Sequence, residues 1–476
     1  MNTFNKKSLY AAIAGVSALG MAGTANAVHV NPDGLGQVLI YPYYTVRAKT
    51  GTAFTGAQFN SLLSVVNSTA SAKAVKVRFL EGKDSREVLD FNLYLSVHDV
   101  WTAGVIPTSD GAGVVTFDKS CTTPTVSSNA ASPSPFVNFA YTGSNADGAD
   151  TSLDRTREGY VEIIEMGDVT LGSPTQIAIT HVNGVPKDCS AVNDVDALAD
   201  TVLGGGGLFG GMTIINVNAS AETGFDAVAL EAFRTVPPAL WFKGGSISPT
   251  LQDQQDGTAT GHQAEVYQGG AVVLAAFTSG IDAVSAALMH NQVMNEYVLD
   301  SGTASLTDWV LTYPTKRYYV FADSKQQTPP KLFQRNFWAT GACDDVTIKF
   351  YDREEQTPGG SPGGFSPPPP GSPNPALCWE ANIVTWNNSN LFSSKNSVNI
   401  TTPYQNGWGV LGLAGGAVAP IHQLVSTTNQ TFNGLPVVGF STNTFYNGAI
   451  PLAAGGSIQS AYGASFKHKT TTLITP

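Results

Sequence analysis

Charged residues are scarce in this chain, where only 13% of the 476 residues are Asp, Glu, Lys or Arg. Basic residues are the rarer sign, with 25 Lys and Arg against 36 Asp and Glu, which gives a formal net charge of −11. This balance excludes nucleic acid as a partner, because binding to phosphates requires a basic surface that displaces counterions. An anionic lipid surface is disfavoured for the same reason.

Long hydrophobic runs are also missing, apart from one near the start. Lys6 and Lys7 precede an apolar stretch over residues 9–22, and the small-residue site Ala25-Asn26-Ala27 follows. This order predicts a secretory signal peptide over residues 1–27, because the stretch is too short and too rich in small residues to span a bilayer. No lipobox cysteine lies near the site. We therefore expect an exported protein at the cell surface or outside the cell, with the periplasm as the alternative.

The most apolar later segment covers residues 269–289. Polar residues interrupt its middle, namely Thr278, Ser279 and Asp282. We expect a buried strand followed by a helix near 281–297, and no transmembrane segment in the mature chain.

Cysteine is rare as well, and its four positions are Cys121, Cys189, Cys343 and Cys378. No pair has C-x-x-C spacing, which argues against a redox motif or a structural zinc site. An even number in an exported chain predicts two disulfides. Of the three possible connectivities we favour the sequential one, Cys121–Cys189 and Cys343–Cys378.

No catalytic motif occurs in a structural context that would support its chemistry. Gly205-x-Gly207-x-x-Gly210 has dinucleotide-loop spacing, but a predicted strand follows it instead of the helix that phosphate binding needs. Ser361 lies in a G-x-S-x-G pattern inside a Pro/Gly tract, which cannot hold a nucleophile elbow. The histidines show no metal-binding spacing and are His29, His98, His181, His262, His290, His422 and His468. We predict no enzyme, no catalytic residue and no cofactor.

Acidic residues form two local clusters on predicted loops. The members are Asp147, Asp150, Asp154 and Glu158 in the first, and Asp194, Asp196 and Asp200 in the second. Neither cluster has the spacing of an established calcium loop. Solvated loops are the expectation, with calcium binding as a weaker alternative and no metal ligand assigned.

Period-two alternation is what the sequence has in abundance. Val75, Val77 and Phe79 alternate with Lys76 and Arg78, and similar runs recur between clusters of Gly, Asn, Asp and Pro. The pattern predicts half-buried strands joined by short turns. We expect a mainly β fold of two or three Ig-like antiparallel β-sandwich units with a short helix and long loops.

An internal repeat suggests how these units are arranged. Residues 64–72 (SVVNSTASA) are echoed by 213–221 (TIINVNASA), and 36–40 by 159–163. A fainter third copy begins at 310–314 and continues into 346–352. The predicted organisation is a signal peptide over 1–27, one sandwich over 28–150, and a repeat-like second over 151–300. A β-rich unit over 301–476 completes it and contains a disordered Pro/Gly insertion at 356–375.

Aromatic side chains cluster at two places in the chain. Three tyrosines lie early and three tryptophans late, at Tyr41, Tyr43, Tyr44, Trp379, Trp386 and Trp408. Core packing between sheets is the favoured interpretation, and stacking on sugars is the alternative for any that are exposed.

Several short sequence segments occur together in this chain. They are 36–41 (GQVLIY), 75–82 (VKVRFLEG), 90–95 (DFNLYL) with Trp101, 157–166 (REGYVEIIEM), 307–310 (TDWV) with 314–317 (PTKR), and 462–463 (YG) with 468–469 (HK). In these phrases the chain resembles a group of exported proteobacterial proteins described as cell surface proteins, a group without an assigned activity. The resemblance implies a surface location and a β-rich architecture, and it supplies no catalytic residues.

These observations favour a non-catalytic, secreted cell-surface protein with a structural or adhesion role at the bacterial envelope. Self-association or a surface polysaccharide is the expected kind of partner. One alternative is an extracellular polysaccharide-binding module, which late tryptophans lining one open concave face would favour. A secreted hydrolase is the weaker alternative, and a pocket joining a histidine or a carboxylate pair with perturbed pKa would favour it.

Overall fold

The computed structural model describes residues 27–49, 56–320, 332–357, 376–415, 421–453 and 455–476. Strands make up 46% of these residues and helices 11%, which confirms the mainly β prediction. The signal peptide predicted at 1–27, except Ala27, lies outside the described residues, and so does the Pro/Gly insertion apart from residues 356 and 357. Both stay predictions.

Sixteen strands precede residue 232. They are β1 (His29–Val30), β2 (Val38–Thr45), β3 (Asn60–Asn67), β4 (Ala72–Glu81), β5 (Glu87–Leu95), β6 (Val100–Pro107), β7 (Ala112–Val115), β8 (Cys121–Thr123), β9 (Ser134–Pro135), β10 (Glu158–Val169), β11 (His181–Val182), β12 (Val185–Pro186), β13 (Thr201–Val202), β14 (Leu208–Asn216), β15 (Ala221–Asp226) and β16 (Val228–Glu231) among the described residues.

The later described strands follow in the same numbering. They are β17 (Gln263–Gln268), β18 (Ala271–Ala276), β19 (Met289–His290), β20 (Gln292–Val298), β21 (Leu306–Thr312), β22 (Asp344–Asp345), β23 (Thr347–Asp352), β24 (Ala376–Leu377), β25 (Ala381–Trp386), β26 (Ser397–Ile400), β27 (Asn406–Gly412), β28 (Gln423–Val425), β29 (Thr431–Asn433), β30 (Leu435–Pro436), β31 (Val438–Pro451), β32 (Ser457–Lys467), β33 (Lys469–Thr471) and β34 (Leu473–Thr475).

Helices are short throughout the described residues. The α-helices are α1 (Pro174–Ile179), α2 (Asp194–Asp200), α3 (Gly280–Leu288) and α4 (Arg317–Val320). Single 3-10 turns are Phe139–Tyr141, Gly143–Asn145, Leu153–Arg157, Cys189–Ala191 and Leu251–Asp253.

Two sheets form a first sandwich. Sheet 1 has the order β1-β16-β2-β10-β4-β5-β8, with β13 added on β10, and sheet 2 has the order β15-β14-β3-β6-β7-β9. Alternate side chains of both sheets meet in a dry core, such as Leu39 and Val77 from sheet 1 and Leu63 and Trp101 from sheet 2. Period-two alternation produces this core, because every second residue of a strand points to the same face.

A second sandwich lies towards the C-terminus. Sheet 3 has the order β26-β25-β21-β31-β32, and sheet 4 has the order β23-β27-β20-β33. Trp386 of sheet 3 stacks on Tyr297 of sheet 4 with ring centroids 4.3 Å apart, and Trp309 contacts Trp386 edge-on. A Cβ on Gly409 would lie 2.9 Å from the Trp386 ring, so only glycine fits at this point of β27.

Helix α3 joins the two sandwiches. Ser279 caps its N-terminus by accepting a hydrogen bond from the Asp282 N–H, and all of its residues except Asp282 are buried. A Cβ on Gly280 would lie 2.5 Å from the Gln252 carbonyl oxygen, so the helix approaches this loop closely. The helix packs in one apolar cluster with Val38 and Tyr160 from the outer face of sheet 1. The helix predicted near 281–297 is therefore shorter, since residues from Met289 onwards form β19 and β20.

The strand before α3 is less buried than its composition predicts. Val272 of β18 is 61% exposed and Leu274 is 48% exposed. β18 pairs only with β17, and this hairpin packs with one face against the body. Its other face remains open, which corrects the prediction of a fully buried strand.

Segments that resemble each other in sequence become neighbours in the sheets. β2 pairs with β10, and β3 pairs with β14, where Leu63 lies opposite its sequence counterpart Met212. β16, which follows the second copy, pairs with the other side of β2, and β4, which follows the first copy, pairs with the other side of β10. The order in sheet 1 is therefore β16-β2-β10-β4, with the two following strands on the outside. Two copies related by a pseudo-twofold axis give this order, which supports the duplication. The suspected third copy has no such support, because β21 and β23 pair with none of the described strands of the first two copies.

The predicted unit boundaries require correction. Strands β10, β14 and β16, which follow residue 150, pair with β2 and β3, which precede it. β20 precedes residue 300 yet pairs with β27 and β33. Local alternation marks strands but does not show which distant strands pair. The Ig-like identity of the sandwiches stays a prediction.

Both predicted disulfides are present. Cys121 of β8 binds Cys189, which attaches the segment carrying α1 and α2 to the edge of sheet 1. Cys343 binds Cys378 across a separation of 35 residues that includes the Pro/Gly insertion. The sequential connectivity is confirmed, and paired cysteines are those of a chain that folds in an oxidising compartment.

Candidate ligand-binding surface

Sheet 1 carries a row of buried charges on the face opposite the sandwich core. On β4, Lys76 lies 2.9 Å from Asp90. Arg78 contacts Glu162 at 2.6 Å. Alternation places these charges correctly on the outer face, but later parts of the chain cover that face. The Lys76 ammonium, for example, also donates to the Lys243 carbonyl at 3.0 Å.

The first acidic cluster supplies partners for buried arginines. Asp147 accepts from Arg155 at 2.6 Å, and Glu158 accepts from Arg47 at 2.6 Å. Asp154 lies 3.1 Å from Arg47. Asp147 and Glu158 are both buried, so the prediction of a solvated loop is wrong for these two, whereas the Asp150 carboxylate is exposed and accepts hydrogen bonds from Ser152.

The second acidic cluster belongs to α2. Asn193 caps this helix, and the Asp196 carboxylate accepts from the Asn193 side chain at 2.8 Å. Asp200 accepts from the Thr175 N–H at 2.9 Å. Within the part of the chain that the structure describes, no group of three or more His, Cys, Asp or Glu residues is placed to hold a metal ion.

Burial raises the pKa of seven carboxyl groups among the described residues, and four of them show the largest shifts. The pKa is raised to about 7 for Asp84, Glu165 and Asp308, and well above its ordinary value for Glu380. Carboxyls of this kind mark catalytic sites when they line a cleft. These four are at most 4% exposed, and each lies inside the body of the protein.

Histidines do not join these carboxyls. Burial lowers the pKa of His290 and His468 to about 4. His468 lies 2.9 Å from the Val310 carbonyl oxygen, and His422 lies within 3.0 Å of two backbone carbonyls. These contacts are structural, since each involves a backbone acceptor at a strand or loop.

The Gly205 to Gly210 motif is a loop followed by a strand, as the sequence predicts. Gly210 lies within β14, and the N–H of Gly206 donates to the buried Glu165 carboxylate at 2.9 Å. The motif thus stabilises an internal carboxylate and presents no helix N-terminus. Ser361 lies outside the described residues.

A groove of about 1140 Å³ lies where β14 and β15 approach β31 and β32. Its floor is built from small residues of sheet 2, including Gly104, Gly211 and Gly224. Asp226 and Lys467 are its charged lining residues. The described groove therefore lacks the histidine or carboxylate pair that a hydrolase requires.

The outer face of sheet 4 is a different kind of surface. Tyr351 of β23 lies opposite Trp408 of β27, and their rings stack with centroids 5.0 Å apart. Glu296 of β20 lies on the other side of Trp408. Trp408 is 42% exposed, and the neighbouring row carries the exposed Lys349. An open aromatic pair beside an acid and a base can contact both apolar and hydroxyl groups of a ligand.

The remaining predicted aromatics lie elsewhere. Tyr41, Tyr43, Tyr44 and Trp386 are fully buried, as core packing requires. Trp379 is partly buried against the Cys343–Cys378 region, where the Lys83 ammonium lies 5.0 Å from its ring. The three late tryptophans therefore do not line one common face. The sequence missed Tyr351 as the partner of Trp408, because only the pairing of β23 with β27 brings them together.

In comparisons with known proteins, no family model, curated protein or solved structure matches this chain. Among the described helices, none has the length and apolar composition needed to cross a membrane. The arrangement of the side chains is therefore the basis for any functional assignment.

Proposed function

We propose that this protein is an exported, non-catalytic component of the bacterial cell surface that adheres to glycans through the outer face of sheet 4. The single observation behind this proposal is the stacking of the half-buried Tyr351 on the exposed Trp408, with the exposed Lys349 and Glu296 beside them. Export is supported by the leader sequence and by two disulfides. The resemblance to proteobacterial cell surface proteins points to the same location.

The chemistry of this face fits a sugar better than the other ligand classes. A pyranose ring presents C–H groups that pack on an aromatic face, while its hydroxyls need donors and acceptors around it. Lys349 and Glu296 provide both beside Trp408. A polyanion such as nucleic acid is disfavoured by the net charge of −11.

Rigidity of the scaffold supports the same role. Tyr351, Trp408 and Glu296 lie on three adjacent paired strands, so their spacing is set by the sheet. Beneath Trp408, the stacked Trp386 and Tyr297 fill the core of the second sandwich. A preformed surface loses little conformational entropy when it binds a ligand.

Binding to insoluble polysaccharides tests the proposal. Mature protein is incubated with cellulose, chitin, peptidoglycan and the exopolysaccharide of the source cells, and the retained fraction is measured. Trp408→Ala is expected to weaken retention roughly tenfold, the effect of losing an aromatic contact worth about 1–1.5 kcal/mol. Trp338→Ala is the matched control, since Trp338 is 69% exposed and lies outside sheet 4.

Three results would overturn the proposal. Equal losses of retention in the two variants would show that binding does not depend on sheet 4. Absence of retention on every polysaccharide would exclude glycans as the ligand. Release of reducing sugar ends by the wild-type protein would contradict the non-catalytic assignment. Cell fractionation with surface proteolysis tests the location, and recovery only as soluble periplasmic protein would exclude the cell surface.

A further inference from the structure

The C-terminal part of the chain contains an unusually long uncharged segment. Residues 423–466 include no Asp, Glu, Lys, Arg or His. The hairpin of β31 and β32 begins at Val438 within this segment, and β31, with 14 residues, is longer than any other described strand. Charged side chains normally keep exposed strands from pairing with other chains.

This hairpin extends beyond the sheet to which it belongs. β21 pairs with β31 only from Val438 to Thr444. From Phe445, which lies opposite Tyr462, to Pro451, which lies opposite Ser457, the two strands pair only with each other among the described strands. We call this two-stranded extension, residues 445–462, the ribbon. Two strands alone are marginally stable in water, so such a ribbon gains from an additional strand.

Other edge strands of the four main sheets are protected. β1, β8, β9, β26 and β33 have two to four residues each. Longer edges carry charges, with Glu222 and Asp226 on β15 and Lys349 and Asp352 on β23. β32 differs, because it has 11 residues and its first charged residue is its last, Lys467. The usual protection against edge pairing is thus missing from this one edge.

Exposed apolar side chains accompany the open edge. Tyr462 is 60% exposed, and Leu452 in the hairpin turn is 45% exposed. The part of β32 nearest to Lys467 packs beside β15, where the Ser465 hydroxyl donates to the Gly224 carbonyl. The free edge therefore corresponds to the ribbon, away from this internal contact.

We infer that the ribbon is an assembly element, and that its β32 edge pairs antiparallel with the same edge of a second copy of this chain. An edge of unpaired N–H and C=O groups is self-complementary when it is rotated by a twofold axis, which gives a closed dimer. Apolar side chains of the two ribbons then cover each other. This pairing is independent of the glycan surface on sheet 4, which belongs to other strands.

Light scattering coupled to size exclusion tests the pairing on the full mature chain over a range of concentrations. Wild-type protein is expected to be a dimer, and Tyr462→Lys is expected to raise the dimer dissociation constant by about tenfold or more, because it places charge on the pairing edge. Tyr267→Lys is the matched control, since Tyr267 is 69% exposed on the separate β17–β18 hairpin. The control is expected to dimerise like the wild type.

A cysteine variant keeps the test decisive if the lysine variant fails to fold. All four native cysteines are in disulfides, so an introduced cysteine is the single free thiol. Ser460→Cys, near the middle of the free β32 edge and therefore near the twofold axis, is expected to give a cross-linked dimer under mild oxidation, whereas Tyr267→Cys is not. A wild-type protein that remains monomeric at all concentrations would overturn the inference, as would equal effects of the Tyr462 and Tyr267 variants. Glycan retention is measured separately and does not depend on either result.

Discussion

Arg155 and Glu81 form a two-point ion pair that is completely buried. Nε of Arg155 lies 2.6 Å from Oε2 of Glu81, and Nη2 lies 2.9 Å from Oε1. Arg155 belongs to the 3-10 turn before β10, and Glu81 is the last residue of β4. Burial alone would raise the pKa of Glu81, but the guanidinium of Arg155 and the N–H groups of Arg86 and Lys83 hold it below its ordinary value.

Replacement of Arg155 by methionine is expected to destabilise the protein by about 3–5 kcal/mol. The variant keeps much of the side-chain volume but leaves the Glu81 and Asp147 carboxylates buried without their cation. Urea unfolding followed by tryptophan fluorescence measures the change. Arg353→Met is the control, because Arg353 is 72% exposed and its neighbour Glu354 lies 3.8 Å away. A loss for Arg155→Met as small as that of the control would contradict this reasoning.

Asp308 gives a prediction about pH. Burial raises its pKa to about 7, although the Ser389 hydroxyl and the Leu391 N–H stabilise the ionised form. The folded state therefore binds more protons than the unfolded state between the ordinary pKa and about 7. Stability from this residue is greatest when the carboxyl is protonated and falls as the pH rises through that interval.

Asp308→Asn removes this titration. The free energy of unfolding of the variant minus that of the wild type is expected to increase by roughly 2 kcal/mol from about pH 5 to about pH 8. The reason is that only the wild type must bury a charge at the higher pH. Urea unfolding of both proteins at the two pH values measures the difference. A stability difference that does not change with pH would show that Asp308 is not responsible.

Features that depend on neighbouring residues can be predicted from the sequence, whereas features that depend on distant parts of the chain cannot. Alternation along β4 correctly assigns Val77 to the core and Arg78 to the opposite face. It does not show that the opposite face is covered, because the cover comes from residues far along the chain, such as Lys243 beside Lys76. The cysteine pairing was predictable because few connectivities exist. The sharing of sheets across residue 150 was not, since alternation contains no information on partner strands.

The candidate surface on sheet 4 also could not be predicted from local sequence patterns. Trp386 and Trp408 both occur in strand-like segments, yet Trp386 is fully buried and Trp408 is 42% exposed. Their difference arises from which face of each sheet meets the other sandwich layer. Pairing of distant strands also brings Tyr351 to Trp408, which no local pattern indicates.

Removal of the Cys121–Cys189 disulfide is expected to destabilise the mature protein by about 4 kcal/mol. The bond closes a separation of 68 residues, and its loss increases the conformational entropy of the unfolded chain. The double variant Cys121→Ala, Cys189→Ala is compared with the wild type by urea unfolding. Hydrogen exchange should show the earliest loss of protection in α1 and α2, which the bond attaches to sheet 1. Unchanged protection there would contradict the anchoring role.

Trp386 and Trp408, which lie on different faces of the second sandwich, provide the last prediction. Trp386→Ala is expected to lower the free energy of unfolding by about 3–5 kcal/mol, because it removes a buried ring that stacks on Tyr297 and packs over Gly409. Trp408→Ala should change it by at most about 1 kcal/mol, since that ring is partly in solvent. Thermal and urea unfolding measure both variants. Comparable destabilisation by the two would mean that Trp408 serves packing, and its effect on glycan retention would then no longer identify a binding surface.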